Sequence, residues 1–419
     1  MPSTWKCVRG SSWKPEFVLP PGASPRRRPL PSTWRRMSSL LPGDPMQPSR
    51  LTTATRAGVM LASVALLTGM FLWLRPLQPV QGEFLVFGTR ARIQLLTSSS
   101  DDADAAFQDI GRLFIHDHHT WHPWEPSEIT RLNDALARGQ PYRVPEDVAD
   151  LIRRAQVGYA QTEGLFNSAA GRLIGAWGFH TSRYPVQTAA PTDGEVKQLL
   201  SEKPGMDDVH IAADGTVSAT NPAVSIDING LSEGYASAQV EQLLARHGIH
   251  RALIYLGGFV MAVGPADAQP WRVGVSAPAG VLGSIDLAGG ESLASSGDYQ
   301  RHRASSADLG HIVDTRTGWP QRASAATSVL SDDPVFADIA ATALMVAGPS
   351  GFQRMADHMQ MNCALLLGHD GKLYITPGMR ARLHTNLPSN RVQIIPRPTQ
   401  SCGPGDAAAR RPVVVPTDF

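Results

Sequence analysis

The chain has 419 residues, 18% charged and 42% hydrophobic, a balance that suits a globular body of one or two domains with low-complexity ends. A formal net charge of +1 excludes the broad basic excess of a nucleic-acid binder. That total hides an asymmetry, because residues 1–56 carry ten Lys/Arg against two acids and leave 28 basic and 35 acidic residues beyond them.

Residues 1–56 are rich in Pro, Ser, Arg and Trp without any period, which predicts a disordered segment. From 57 to 74 runs A-G-V-M-L-A-S-V-A-L-L-T-G-M-F-L-W-L, uncharged and held between Arg56 and Arg75. At about 1.5 Å per residue it spans roughly 27 Å, close to a bilayer core. The basic flank precedes it, so the expectation is a single uncleaved transmembrane anchor in a bacterial inner membrane, with residues 1–56 cytoplasmic and the body in the periplasm.

After a linker at 76–82, Phe84–Leu96 reads as strand, broken at Phe87-Gly88-Thr89. Asp101–Phe114 reads as a helix, opened by acids and carrying Ala106, Ile110, Leu113 and Phe114 on one face. Pro145–Thr162 is a second helix. Val224–Ile228 reads as a strand leading into the helix Leu231–His247, and Ala252–Leu256 as a strand stopped by Gly257-Gly258. Val335–Ala347 is a small-residue helix closed by Gly348. Cys363–Leu367 and Lys372–Thr376 read as a hairpin. Residues 386–419 return to a Pro/Arg/Ala-rich composition and are expected to be a disordered tail. The sum is an α+β body over 82–385.

Three cysteines make no metal spacing, and a Cys363–Cys402 bridge is open to an oxidising compartment without being required. The stretch Ser295–Gly318 carries more chemistry. Its small residues and glycines let backbone N–H groups approach an anion, and His311 sits where an imidazole can take a proton from a hydroxyl. Asp338 and Thr342, four apart on a helix, offer a carboxylate and a hydroxyl to one face, the oxygen donors that Mg²⁺ prefers. Asp227 ends an apolar run before a tight Asn-Gly turn, and Glu233 opens the next helix. A relay of Asp314 and His311 is set aside for want of a Gly-x-Ser-x-Gly elbow. The four histidines at 116, 118, 119 and 122 fit a metal site less well than Trp121 or Trp124 fits a stacking surface for a flat ligand.

In chain order, F-G-T at 87–89, S-E-I-T-R-L-N at 127–133, G-L-F-N at 164–167, D-I-N-G-L-S-E-G-Y-A at 227–236, S-S-G-D-Y at 295–299, H-I-V-D-T-R-T-G at 311–318 and A-D-I-A-A-T-A-L at 337–344 are similar to the motifs of the ApbE family of FAD:protein FMN transferases. The resemblance covers roughly Phe84 to Leu383. It implies the ApbE-like α+β fold and the Mg²⁺-dependent transfer of the FMN half of FAD to a threonine of an exported or membrane-bound acceptor flavoprotein, with AMP released. It also implies FAD contacts at Phe87, Trp121, Leu165, Phe166, Asn167, Asp227, Glu233 and Thr327, a Mg²⁺ site at Gly230 (through its carbonyl), Asp338 and Thr342, and a catalytic base at His311. Hydrolysis of FAD to FMN and AMP, or FAD binding without chemistry, are the alternatives. The sequence departs from common family choices at Asn167, Glu233, Ala238, Phe259 and Thr315.

Overall fold

The computed structural model describes residues 77–398 together with Met60, Ala62, Ser63, Ser401 and Cys402. Two compact units emerge, Arg9–Pro76 and the remainder, and in the first of these the described residues Met60, Ala62 and Ser63 are helical. The basic segment 1–56 and almost all of the membrane span expected over 57–74 lie outside the described residues.

Nine strands build the central sheet: β1 (Gln78–Val86), β2 (Thr89–Thr97), β3 (Ala252–Leu256), β4 (Phe259–Val263), β5 (Ser292–Gly297), β6 (Ser324–Ser331), β7 (Ala364–Gly368), β8 (Leu373–Ile375) and β9 (Val392–Ile394). Their order across the sheet is their order in the chain. Every neighbouring pair is antiparallel except β8 and β9. The break expected at Phe87 is a two-residue hairpin turn, with Phe87 at φ 52° and Gly88 at φ 68°, the left-handed pair whose twist matches that of the strands. β1 therefore begins inside the predicted linker.

Eight helices are described: α1 (Ser100–Trp121), α2 (Glu128–Ala137), α3 (Glu146–Gln161), α4 (Gly171–Ala176), α5 (Asp193–Glu202), α6 (Ser232–Arg246), α7 (Pro334–His358) and α8 (Pro377–Arg382). Ser99 caps α1 by accepting the Asp102 N–H. The apolar stripe of α1 does not stop at Phe114 but continues through Asp117 to Trp121, both buried. A carboxylate standing at a core position hid those last two turns from the sequence reading. Gly348, at φ 66°, interrupts α7 where the predicted helix closes, and Pro349 restarts it.

One face of the sheet and the helices share the main core, which includes Ile93, Ile254, Val329, Ile339 and Leu344. On the other face Leu253, Leu293 and Leu365 pack with Val273, Val275, Ile285 and Leu287 of the hairpin Trp271–Ala277/Gly280–Leu287. Burial on both faces explains why β3 is apolar throughout instead of alternating.

Two expectations need correction. Val224–Ile228 is extended but belongs to no strand; Ser225 makes a single parallel bridge to Ala170. Its backbone is satisfied instead by Ala169 and Ser168 carbonyls and by the Asn133 side chain, which both donates to and accepts from Ile226. The tail expected from 386 is also partly folded. Ser389–Arg391 forms a 3₁₀ turn, β9 pairs with β8, Ile395 is buried, and Cys402 is disulfide-bonded to Cys363 with Cα atoms 5.6 Å apart. The composition is that of a tail, but a few aliphatic side chains and one thiol fasten it. Residues 403–419 lie outside the description.

Candidate active site

One cavity of about 240 Å³ collects most of the predicted residues: His311, Phe87, Leu165, Phe166, Asn167, Asp227, Gly230, Glu233, Asp338 and Thr342 all line it. They come from segments far apart in the chain, and four local arrangements bring them together.

The first is the start of α6. The Asp227 carboxylate accepts the Asn229 N–H at 3.0 Å, closing the Asn-Gly turn, and its second oxygen lies 3.1 Å from His180 Nε2. Gly230 follows, so close to Phe166 that a Cβ there would lie 2.8 Å from that ring. Glu233, in the first turn of α6, accepts the Gly258 N–H at 3.0 Å. Gly257 must be glycine: its φ is 59°, and a Cβ would stand 2.0 Å from the Glu233 carboxylate. The Gly-Gly after β3 thus lets a carboxylate lie over the turn that joins β3 to β4.

The second is the crossing of α6 and α7. Asp338 accepts the Gly234 N–H at 3.0 Å, and a Cβ on Gly234 would meet the Pro334 carbonyl at 2.3 Å. One turn on, Thr342 donates to the Asp338 carbonyl at 3.2 Å, and its hydroxyl is 3.5 Å from that of Ser296 on β5. Carboxylate and hydroxyl share one helix face, as their spacing predicts.

Third is the short link between the strands Ser306–Gly310 and Val313–Asp314, where His311 lies. Its backbone donates to the Arg301 carbonyl at 2.9 Å, and its Nδ1 is buried with no partner. Burial first, and then the Arg301 guanidinium, pull the imidazole down to about 3. His311 is therefore held in the neutral form, with one unprotonated ring nitrogen. Asp314 is engaged elsewhere, bonded by two Arg316 nitrogens at 2.9 and 2.8 Å, so the rejected relay has no carboxylate to use.

The fourth is an apolar wall of Phe87, Leu165, Phe166 and Phe179, continued by Trp124, which stacks on His180 at 5.3 Å and 18°. Trp121 is not part of it. It is 2% exposed, stacks behind Phe87 at 5.7 Å and 9°, and donates its indole N–H to Asp147 at 3.1 Å. Thr327 is also off the wall; it is fully buried in β6 and bonds the Ala341 carbonyl at 2.8 Å, holding α7 on the sheet. Neither of these two residues lines the cavity; each packs behind residues that do.

The four histidines do not converge. His116 faces Asp147, while His118 and His122 approach Glu125 and His119 is exposed. Arg301, which the sequence reading missed, brings a positive charge to the cavity beside His311 and Glu233, its guanidinium 6.0 Å over the Tyr184 ring. It stands two residues after the Ser-Ser-Gly-Asp-Tyr motif, and a cation close to an anion-favouring turn was the available signal.

Against that one cation stand Asp227, Glu233 and Asp338. Burial raises Glu233 to about 7 despite Arg301 and the Gly258 N–H, and Asp338 is held well above the usual carboxylate range by burial and by Glu233. A buried acid and a half-buried one, with a hydroxyl and a carbonyl also lining the cavity, form an oxygen-only donor set that suits a hard divalent cation.

The sequence profile of the ApbE family matches residues 87–367. The chain belongs to the ApbE family. An FAD:protein FMN transferase of Rhodobacter capsulatus is 36% identical over 334 residues, 79% of this chain and 63% of that protein, so the chain spans less than two thirds of that relative's length. An FAD:protein FMN transferase of Salmonella typhimurium is 25% identical, over 61% of this chain and 75% of its own. Among solved structures, the flavin transferase ApbE from Vibrio cholerae superposes with a TM-score of 0.64 at 25% identity, covering 74% of this chain and 100% of that one. The ApbE protein of Thermotoga maritima gives 0.62 at 26%, covering 71% and 96%. The α+β architecture is that of the family, as the motifs implied.

Proposed function

We propose that this chain is an FAD:protein FMN transferase, moving the FMN half of FAD onto a threonine hydroxyl of an acceptor flavoprotein and releasing AMP. The observation that carries the reading is the meeting of His311 with Asp338, Thr342 and Glu233 in one cavity with an apolar wall. At about 240 Å³ the cavity is smaller than pockets that enclose a ligand, roughly 300–1,000 Å³, so the dinucleotide would lie partly in the open, where an acceptor segment can reach it.

In this reading the threonine oxygen bonds to the FMN phosphorus, the phosphoanhydride bond breaks, and the bridging oxygen departs with AMP. His311, neutral and within the cavity, takes the hydroxyl proton. Arg301 faces the developing phosphate charge. Asp338, Thr342 and the Gly230 carbonyl would hold Mg²⁺, which when bound neutralises the pyrophosphate and orients an in-line displacement. Phe87, Leu165, Phe166 and Trp124 offer ring and aliphatic faces to the isoalloxazine.

The test is direct. Purified protein with FAD, Mg²⁺ and a peptide bearing an acceptor threonine should give a peptide heavier by FMN and an equivalent of AMP. His311→Ala should lower the rate by roughly 10²- to 10⁴-fold. No transfer, or a His311→Ala protein as fast as the original, overturns the reading; AMP without an acceptor would mark a pyrophosphatase, and intact bound FAD a carrier. The acidic body is further proposed to be periplasmic behind an anchor at 57–74. The basic flank and the Cys363–Cys402 bond support this, and protease digestion of the body in spheroplasts but not in intact cells would check it.

A further inference from the structure

Away from the cavity, between the last turns of α1 and the first turn of α3, lies a polar cluster with no part in the proposed reaction. Asp117 is 0% exposed, and neither of its carboxylate oxygens has a hydrogen-bond partner. An unmatched buried carboxylate is costly, and side chains left so are uncommon in folded proteins. Asp147 stands beside it, also buried, and the ligating atoms of His116, Asp117 and Asp147 all lie within 4.8 Å of one another. His116 Nε2 is 3.4 Å from Asp147 Oδ2, and the Trp121 indole N–H fixes the same oxygen at 3.1 Å.

We propose that His116, Asp117 and Asp147 form a second divalent-cation site, of a class that takes Zn²⁺ or Mn²⁺. One imidazole with two carboxylates is a mixed nitrogen–oxygen set, which suits first-row divalent metals better than the oxygen-only preference of Mg²⁺. An ion about 2.1 Å from each ligand closes the cluster by movements the half-exposed His116 can make. It would give the Asp117 oxygens the partner the protein does not supply and remove the repulsion between two adjacent carboxylates. The Trp121–Asp147 bond supplies the outer support that orients metal ligands. The ion would also pin α1 to α3 and steady Trp121, on which Phe87 of the cavity wall stacks.

A rival cluster, His118, His122 and Glu125, is equally tight. It is the poorer choice because His122 Nδ1 already accepts backbone N–H groups from Glu125 at 2.9 Å and Trp124 at 3.4 Å. The proton of a neutral His122 then sits on Nε2, which donates instead of ligating.

The experiment reads metal content and not transfer, so its result is independent of the reaction proposed above. Tag-free, chelator-stripped full-length protein carrying Asp338→Asn, which removes the carboxylate proposed to hold Mg²⁺ in the cavity, is titrated with Zn²⁺ or Mn²⁺ without FAD. One ion per chain is expected, with a rise in melting temperature. Adding Asp117→Asn or His116→Ala should weaken binding by roughly tenfold or more and abolish the rise; His118→Ala should change neither. His116 is half exposed, so its replacement leaves a folded protein even if Asp117→Asn does not. The proposal is overturned if the Asp338→Asn protein takes up no ion, if uptake survives His116→Ala, or if His118→Ala alone removes it.

Discussion

His311 is a histidine whose environment keeps it neutral, and this has a thermodynamic cost. Its pKa falls from 6.5 to about 3, so below pH 6.5 the unfolded chain takes up a proton that the folded one refuses until about 3. Folded-state stability should therefore drop as pH falls through that window, by at most about 1.4 kcal/mol per pH unit from this residue. Glu233 and Asp338, raised by burial, act with the opposite sign. Melting temperatures taken between pH 7 and pH 4 should fall less steeply in His311→Asn than in the parent, and parallel slopes would show that His311 is not held neutral. At this scale the sequence was informative about which residues share the cavity: the imidazole, acids and alcohol of His311, Asp338, Glu233 and Thr342 all line it. It did not show that Trp121 and Thr327 stand behind the cavity, because which of two neighbouring aromatics faces a cavity, or which strand hydroxyl turns inward to bond a carbonyl, is decided by packing and not by type.

The crossing of α6 on α7 shows what elements contribute. Gly234 is the point of closest approach, and its N–H is also a bond to Asp338. Gly234→Ala should push the helices apart, costing about 1–3 kcal/mol of stability, and should weaken the Mg²⁺ binding proposed for the cavity further than the unfolding curve alone accounts for. Calorimetric Mg²⁺ titration beside a urea melt separates the two effects, and a variant with parental Mg²⁺ affinity would mean that the carboxylate does not depend on this crossing. Helix existence was legible from period and caps, and so was the break at Gly348. The far end of α1 was not, since Asp117 interrupts the apolar stripe. The segment 224–228 was misread because an apolar extended run looks the same whether its backbone bonds go to a strand or, as here, to the 168–169 segment and one asparagine side chain.

For the molecule as a whole, the Cys363–Cys402 bond closes 39 residues of separation and ties the last described segment to β7 and β8. Cys402→Ser should lower stability by about 2–4 kcal/mol. Mild reduction of the parent should reproduce that loss in a denaturant melt, whereas an unchanged midpoint would mean that β9 and Ile395 hold the segment unaided. The α+β class was readable from alternating periods, but the sheet's order was not, because no local pattern says which strand lies beside which. That order has a consequence for how the protein is made. Each strand can settle against the one synthesised before it, so a growing polypeptide could extend a single advancing seam. Only the join of β2 to β3 must wait for everything from 98 to 251 to emerge. Until then the nascent chain owns just one hairpin of this sheet, an arrangement with little stability in water. Once β4 follows, the sheet can be four strands wide, Glu233 can settle on Gly258, and two of the cavity's three acids are in hand before His311 joins them.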